Sequence, residues 1–354
     1  MENCLLNTWY MFGWGHELGS GMLARTILDL PIVVFRGADG VTAALHDRCP
    51  HRFAPLSRGK LSQGVIECGY HGLCFDSTGQ CVKNPYSDRI PPSAQVRSFP
   101  IVEQDNILWI WPGDPGKANP SQIVRFPDHI EPGYHFVYGH SMVRADYELI
   151  TDNLLDLTHT TYLHPSFGGG DYIPETFFEQ VGDTVCSRYF IRSFPTPAYN
   201  KSLFPKLGDG PIDEWDTMRW DVPATLHLAL ESVATGRPRS EAWRNSTDHI
   251  LTPSSAHTTW YFWASGVPRL DYVIDDASHI QLLTHAFEME DTPMLEAVQH
   301  RLGEITDILA LRPTILPGDT AAVYARRILR ARLKSEDSAA AASGIPSKRD
   351  VDHR

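Results

Sequence analysis

Cysteine is scarce in this chain, with six in 354 residues, and four of them, Cys49, Cys68, Cys74 and Cys81, crowd one stretch. That number is too small for a secreted scaffold stapled by disulfides, and the crowding points to local chemistry instead. Positive charge is also short: 31 Lys and Arg stand against 43 Asp and Glu, a formal net charge of −12. General binders of nucleic acid or of anionic membranes need a positive field to replace counterions, so neither is an expected partner. No run of 18 apolar residues occurs, and no basic segment leads into an apolar core near Met1, so the cytoplasm is the expected location. A complete nucleotide fingerprint is missing as well. Gly13-x-Gly15 lacks the full glycine pattern and a βαβ setting.

What is present is an ordinary globular composition, 42% hydrophobic and 21% charged, in a chain long enough for about two domains. From Ala24 to about Trp111 the residues read as short strands broken by turn signals such as Asp39-Gly40 and Ser77 to Gly79. The cluster PGDPGKANPSQ follows without periodicity, which predicts an all-β domain over 1–115 and a second domain over 116–335. There the segment from Asp146 to about His164 reads as one helix, with Ile150, Leu154 and Leu157 at helical spacing. TLHLALESV and TTWYFWASG read as strands. Asp291 to about Leu333 reads as helix on a stripe of Met294, Leu295, Val298, Leu302, Ile305 and Ile308. Residues 336–354 have no face to bury and read as a disordered tail. The fold class is therefore α+β.

Two short loops carry the first chemistry. Cys49-Pro50-His51 gives C-x-H, and Cys68-Gly69-Tyr70-His71 gives C-x-x-H. Thiolate and imidazole suit zinc or an iron–sulfur cluster alike. Structural zinc sites usually pair Cys with Cys and His with His, whereas here each loop brings one of each. That distribution fits a Rieske cluster, in which two His bind one iron and two Cys the other.

Read as CPHR and CGYHGL, these loops resemble those of the Rieske non-haem iron oxygenases. Where respiratory Rieske proteins carry an extra disulfide, this chain has Ala54 and Tyr70, so the resemblance is to the oxygenase type, and Cys74 and Cys81 are read as small buried residues. The likeness runs through NTWY, NILWIWPGDP, DYELITDNLLDLTH and HILTP. It implies an N-terminal all-β Rieske [2Fe-2S] domain followed by a catalytic domain with an antiparallel sheet flanked by helices.

A second metal site is expected at His159 and His164. On an ideal helix, residues five apart differ by about 140°, so the helix must be distorted for both to reach one ion. Pro165 disfavours the helical state at His164. Two His with one carboxylate form the facial triad of oxygen-activating ferrous enzymes. From the residues alone the carboxylate stays open among Asp275, Asp276, Glu288, Glu290, Asp291 and Glu296. The resemblance implies Asp291, which with Pro293 behind it also reads as a helix N-cap.

The resemblance further implies that Asp156 bridges His159 and a neighbouring subunit's His71 in a homotrimer, and that Asn153 sits beside the metal. It implies a substrate pocket containing His249, His227 and Leu282. The implied cofactors are the [2Fe-2S] cluster and mononuclear Fe(II), with O2 as cosubstrate and NADH acting through a separate flavin-containing reductase, a ferredoxin, or both. The implied reaction is oxidative O- or N-dealkylation of a small substituted aromatic, a methoxyaromatic or a chloroacetanilide-type herbicide, with aldehyde release. Ring dihydroxylation, methyl hydroxylation and a non-enzymatic Rieske electron carrier are the rivals.

Overall fold

Turn chemistry divides the first part of the chain into short antiparallel strands. At the expected hairpin Gly40 adopts φ +78°, and Leu30–Arg36 pairs antiparallel with Thr42–His46. The structure, a computed structural model, describes residues 3–168 and 173–342. Its first compact unit runs from Asn3 to Arg125 and contains two four-stranded sheets and one three-stranded sheet. Val33, Phe35, Leu45, Leu56, Ile66 and Phe75 form one of its cores, and Cys74 and Cys81 are buried as expected. The unit ends ten residues later than the expected 115. Trp9 Nε1 donates to the Asn119 carbonyl at 2.9 Å, and Arg125 pairs with the buried Asp105 at 2.7 Å, so side-chain anchors hold the Pro/Gly segment to this unit.

The second unit, from Phe126 onward, is built on seven antiparallel strands. Thr184–Phe194, Ile212–Asp221, Thr225–Ala234, Trp243–Ser255 and Thr258–Pro268 follow one another as a meander, closed by Tyr134–Val143 on one edge and Glu175–Val181 on the other. Both segments read as strands from their sequence lie within it.

The helices differ from the expected ones. A single helix over 146–164 is not formed. It runs over Tyr147–Leu155, stops at Asp156 (φ −114°, ψ 90°), and resumes as a 3₁₀ turn, Leu157–His159, and a short helix, Thr160–Leu163. Asp156 makes the break itself: its N–H still donates to Asp152 O, while its carboxylate accepts from Thr158 N at 3.0 Å and caps the next turn. The long helix from Asp291 is also divided. Thr292–Leu302 ends at Gly303 (φ +59°), and after two 3₁₀ turns, Ile308–Leu311 and Pro317–Asp319, α-helix returns at Thr320–Ala342. In the expected stripe Leu295 is buried, but Met294 and Val298 are 53% and 38% exposed. The last helix continues into the segment read as a tail, as far as Ala342; the remainder, 343–354, lies outside the described residues.

That last helix is fastened under the first. Arg326, itself buried, donates to the buried Glu148 at 2.8 Å and to Asp152 at 2.7 Å. No helix among the described residues is long and apolar enough to cross a membrane.

Candidate metal centres and the cavity beside one of them

Each Cys–His loop is closed by the same pair of backbone bonds. Cys49 N donates to Ala54 O and Phe53 N to Cys49 O; in the second loop Cys68 N donates to Leu73 O and Gly72 N to Cys68 O. The penultimate residue takes a left-handed conformation in both, Phe53 at φ +59° and Gly72 at φ +74°. Glycine adopts it without strain. Phe53 does so with Arg48 stacked 4.0 Å from its ring centroid.

The result is a matched presentation. Cys49 and Cys68 are buried, and the His51 and His71 rings stand 4.4 Å apart at the outer edge. Burial, with the Cys68 thiol beside it, pushes the Cys49 thiol up to about 11. A thiol so placed ionises when a metal binds it. Two inward sulfurs and two outward imidazoles, one of each per loop, fit a cluster whose two irons have different ligands.

In the second unit, donor atoms of His159, His164 and Asp291 all lie within 4.8 Å of one another. Asp291 Oδ1 is 3.1 Å from His164 Nε2 and 3.5 Å from His159 Nε2. The tautomers follow from the other ring nitrogens. His159 Nδ1 lies 2.7 Å from the Asp156 carbonyl, which can only accept, so Nδ1 carries the proton and Nε2 keeps its lone pair. His164 Nδ1 lies 2.7 Å from Glu290 Oε2. Burial lowers the His159 pKa. For His164 burial works the same way, but the Asp291 and Glu290 carboxylates on either side of the ring outweigh it and raise the pKa. Two Nε2 lone pairs facing one carboxylate are the donor set a ferrous ion takes.

Between the two histidines the 3₁₀ turn ending at His159 passes into the short helix Thr160–Leu163, and His164 itself leaves the helix at φ −118°, ψ 83°, before Pro165, which supplies the distortion that two histidines five apart require. Asp291 is not an N-cap. It ends a π-helical turn, His285–Asp291, that runs directly into the following helix, and its carboxylate points to the imidazoles. Asn153 Nδ2 donates to Asp291 Oδ1 at 3.2 Å. Glu290, weighed above only as a ligand, instead orients His164. Its position immediately before Asp291 was the available signal.

These three residues form part of the wall of a mostly apolar cavity that also includes Leu154, Phe167, Leu228, Leu283 and Phe287. His249 lines it as expected, with Nδ1 2.7 Å from the Tyr261 hydroxyl and Nε2 without a partner. Burial holds its pKa down to about 4, so the ring is neutral.

Neither His227 nor Leu282 lines this cavity; residues beside them in sequence do. Leu226 is the register partner of His249, so Leu226, Leu228 and Leu230 face inward. His227 points to the opposite face, where its Nδ1 meets the buried Asp248 at 2.5 Å. On the helix it is Leu283, 1% exposed, that reaches the cavity. Glu214, Asp216 and Asn245 line the cavity too, and sequence reasoning did not single them out.

Comparison with known proteins bears on both units. A family model described as the Rieske [2Fe-2S] domain matches residues 8–100, and one described as the vanillate O-demethylase oxygenase C-terminal domain matches residues 143–335. The chain is 37% identical over 327 residues to the oxygenase component of dicamba O-demethylase from Stenotrophomonas maltophilia, covering 91% of this chain and 95% of that one. It is 34% identical to the oxygenase component of chloroacetanilide N-alkylformylase from Rhizorhabdus wittichii, covering 94% and 96%. A crystal structure of dicamba monooxygenase with non-heme iron and dicamba superposes with a TM-score of 0.81 at 34% identity, covering 95% of this chain and 99% of that one.

Proposed function

The chain belongs to the Rieske non-haem iron oxygenases, and from that premise we propose that it is the terminal component of an NADH-dependent monooxygenase that removes an alkyl group from oxygen or nitrogen on an aromatic ring. Its cofactors are a [2Fe-2S] cluster and a mononuclear iron. Cys49, His51, Cys68 and His71 would hold the first, and His159, His164 and Asp291 the second. When bound, the cluster supplies electrons singly and the iron supplies the position at which dioxygen is activated.

The protein's own contribution is positional. The Asp156 carbonyl and the Glu290 carboxylate hold the two Nδ1 protons, which keeps both Nε2 atoms turned inward. Asn153 steadies the third ligand through Asp291 Oδ1. The leucines and Phe287 exclude water and grip an aromatic ring, while His249 Nε2 offers a polar contact to the substrate. Hydroxylation of the carbon next to oxygen or nitrogen yields a hemiacetal or hemiaminal, and its collapse releases an aldehyde.

Electrons come from a separate flavin-containing reductase, with or without a ferredoxin. The assembly is a homotrimer in which Asp156 joins the two centres: its carbonyl accepts from His159 Nδ1 and its carboxylate turns to the partner subunit's His71. The observation that carries this reading is the convergence of three ligand atoms on the wall of an apolar cavity. The test is reconstitution with a reductase and NADH on paired methoxyaromatic and N-alkyl anilide substrates, with aldehyde assay and product mass analysis. Aldehyde together with the dealkylated ring is expected. Oxygenated products without aldehyde would move the assignment to hydroxylation.

A further inference from the structure

The sheet face that floors the cavity is not apolar throughout. Glu214 and Asp216 stand two residues apart on Ile212–Asp221 and therefore point the same way, both into the cavity wall. Their surroundings differ. Glu214 Oε2 accepts from Ser232 Oγ and from Asn200 Nδ2, each at 2.6 Å. Asp216 Oδ1 is just as closed off from bulk water and accepts from nothing.

A second orphan lies in the same row of the sheet. Asp216 pairs with Leu230 and Leu230 with Asn245, and Asn245 Oδ1 is also buried without a donor. Its amide nitrogen donates to the Tyr199 hydroxyl at 3.1 Å, leaving the oxygen as the free end. Two unmet acceptors on one row are a request for protons from outside the chain, because buried polar groups left unpaired are costly. Among the described residues no lysine or arginine lines the cavity to answer it. The row stands four residues along the strand from Trp220, the row of His249, or roughly 13 Å at strand rise.

We infer that the cavity takes a substrate carrying a basic nitrogen, seated on Asp216 and Asn245 and away from His249. This rests on the cavity being the substrate site, as proposed above. An ammonium brings several N–H donors and a positive charge, which meets both orphan oxygens at once. A substrate carboxylate would bring negative charge to a sheet face that already lines the cavity with two carboxyl groups and, among the described residues, no lysine or arginine. Burial and the neighbouring Glu214 hold the Asp216 carboxyl well above the usual range, so the empty cavity need not carry two bare charges.

The test is calorimetric binding to the holoenzyme, without oxygen, of three matched probes: 4-methoxyphenethylamine, 2-(4-methoxyphenyl)ethanol and 4-methoxyphenylacetate. One buried charge-assisted hydrogen bond makes the amine bind about ten- to a hundredfold more tightly than the acetate. Asp216→Asn should erase that preference while leaving the alcohol within about twofold, a neutral ligand gaining little from the charge. Asp216→Ser repeats the test should the first variant not fold, and the wild-type comparison stands without either. Equal or tighter binding of the acetate, no binding of the amine, or an Asp216→Asn protein that keeps the preference would each overturn the inference, the last meaning that water fills the row. Aldehyde assays on the same probes separate this from the dealkylase reading. Selective amine binding without aldehyde sinks dealkylation alone, whereas aldehyde formed as readily from the acetate sinks the basic-nitrogen inference alone.

Discussion

The loops at Cys49 and Cys68 close on themselves, each through two backbone hydrogen bonds within six residues. His164 and Glu290, by contrast, are 126 positions apart, and they meet only because a helix breaks at Asp156, a π turn precedes Asp291, and a buried arginine clamps the last helix beneath the first. One site is written locally and the other is assembled by its whole unit. Their failures should therefore differ: the local site falls to changes in its own loop, the assembled one also to changes far from any ligand.

The largest expected effect tests whether the sites are independent. Asp291→Ala should empty the mononuclear site and cut turnover by at least about a hundredfold, since loss of a mere supporting group already costs ten to a hundred. Iron analysis should show that loss while the visible spectrum of the cluster stays at wild-type intensity. Cys68→Ala should do the reverse, and loss of both signals in either variant would break the comparison.

Next comes the clamp. Arg326→Leu leaves Glu148 buried beside only Arg330, and should cost the second unit about 3–5 kcal/mol. In denaturant titration, mononuclear iron should be released early and the cluster spectrum should persist. Simultaneous loss would mean the two units unfold as one.

A smaller effect concerns acid. His279 is fully buried, neither ring nitrogen has a hydrogen-bond partner, and burial lowers its pKa to about 4 against 6.5 in an unfolded chain. Its folded form thus resists protonation that the unfolded form accepts. The contribution to stability is fully present above pH 6.5 and is lost as pH falls through 4. His279→Leu should remove about 2 kcal/mol of this lability at pH 5 and change little at pH 8. A parallel pH profile for variant and wild type would contradict it.

The smallest test stays inside the loops. Gly72→Ala should destabilise by about 1 kcal/mol because of its positive φ. Phe53→Gly relieves the same strain at the twin position but loses the Arg48 stack, so its thermal midpoint should move little.

The same contrast explains what could be read in advance. The pairing of the two Cys–His loops was legible because spacing within a tight turn fixes where side chains point. Pro165 announced a distorted end to the helix, whereas the break at Asp156, before both histidines, was not foreseen. The carboxylate was not legible from geometry: six acidic residues competed, and only the fold decides which one a distant helix meets. His227 was misplaced although TLHLALESV holds the answer, since leucines at 226, 228 and 230 mark the inward face. Leu282 had no such signal, because the π turn after it shifts the phase of the helix without leaving a proline or glycine to mark it.

That wide turn carries one more implication, for how such a cavity changes over generations. A π turn holds about one residue more than an α turn. Deleting a single residue within 285–289 would restore regular pitch and rotate the preceding helix by about 100° relative to Asp291. The wall now made by Leu283 would then be offered to its neighbour in sequence. A change of length by one, which no side-chain replacement imitates, re-dresses this cavity while His159, His164 and Asp291 keep their identity.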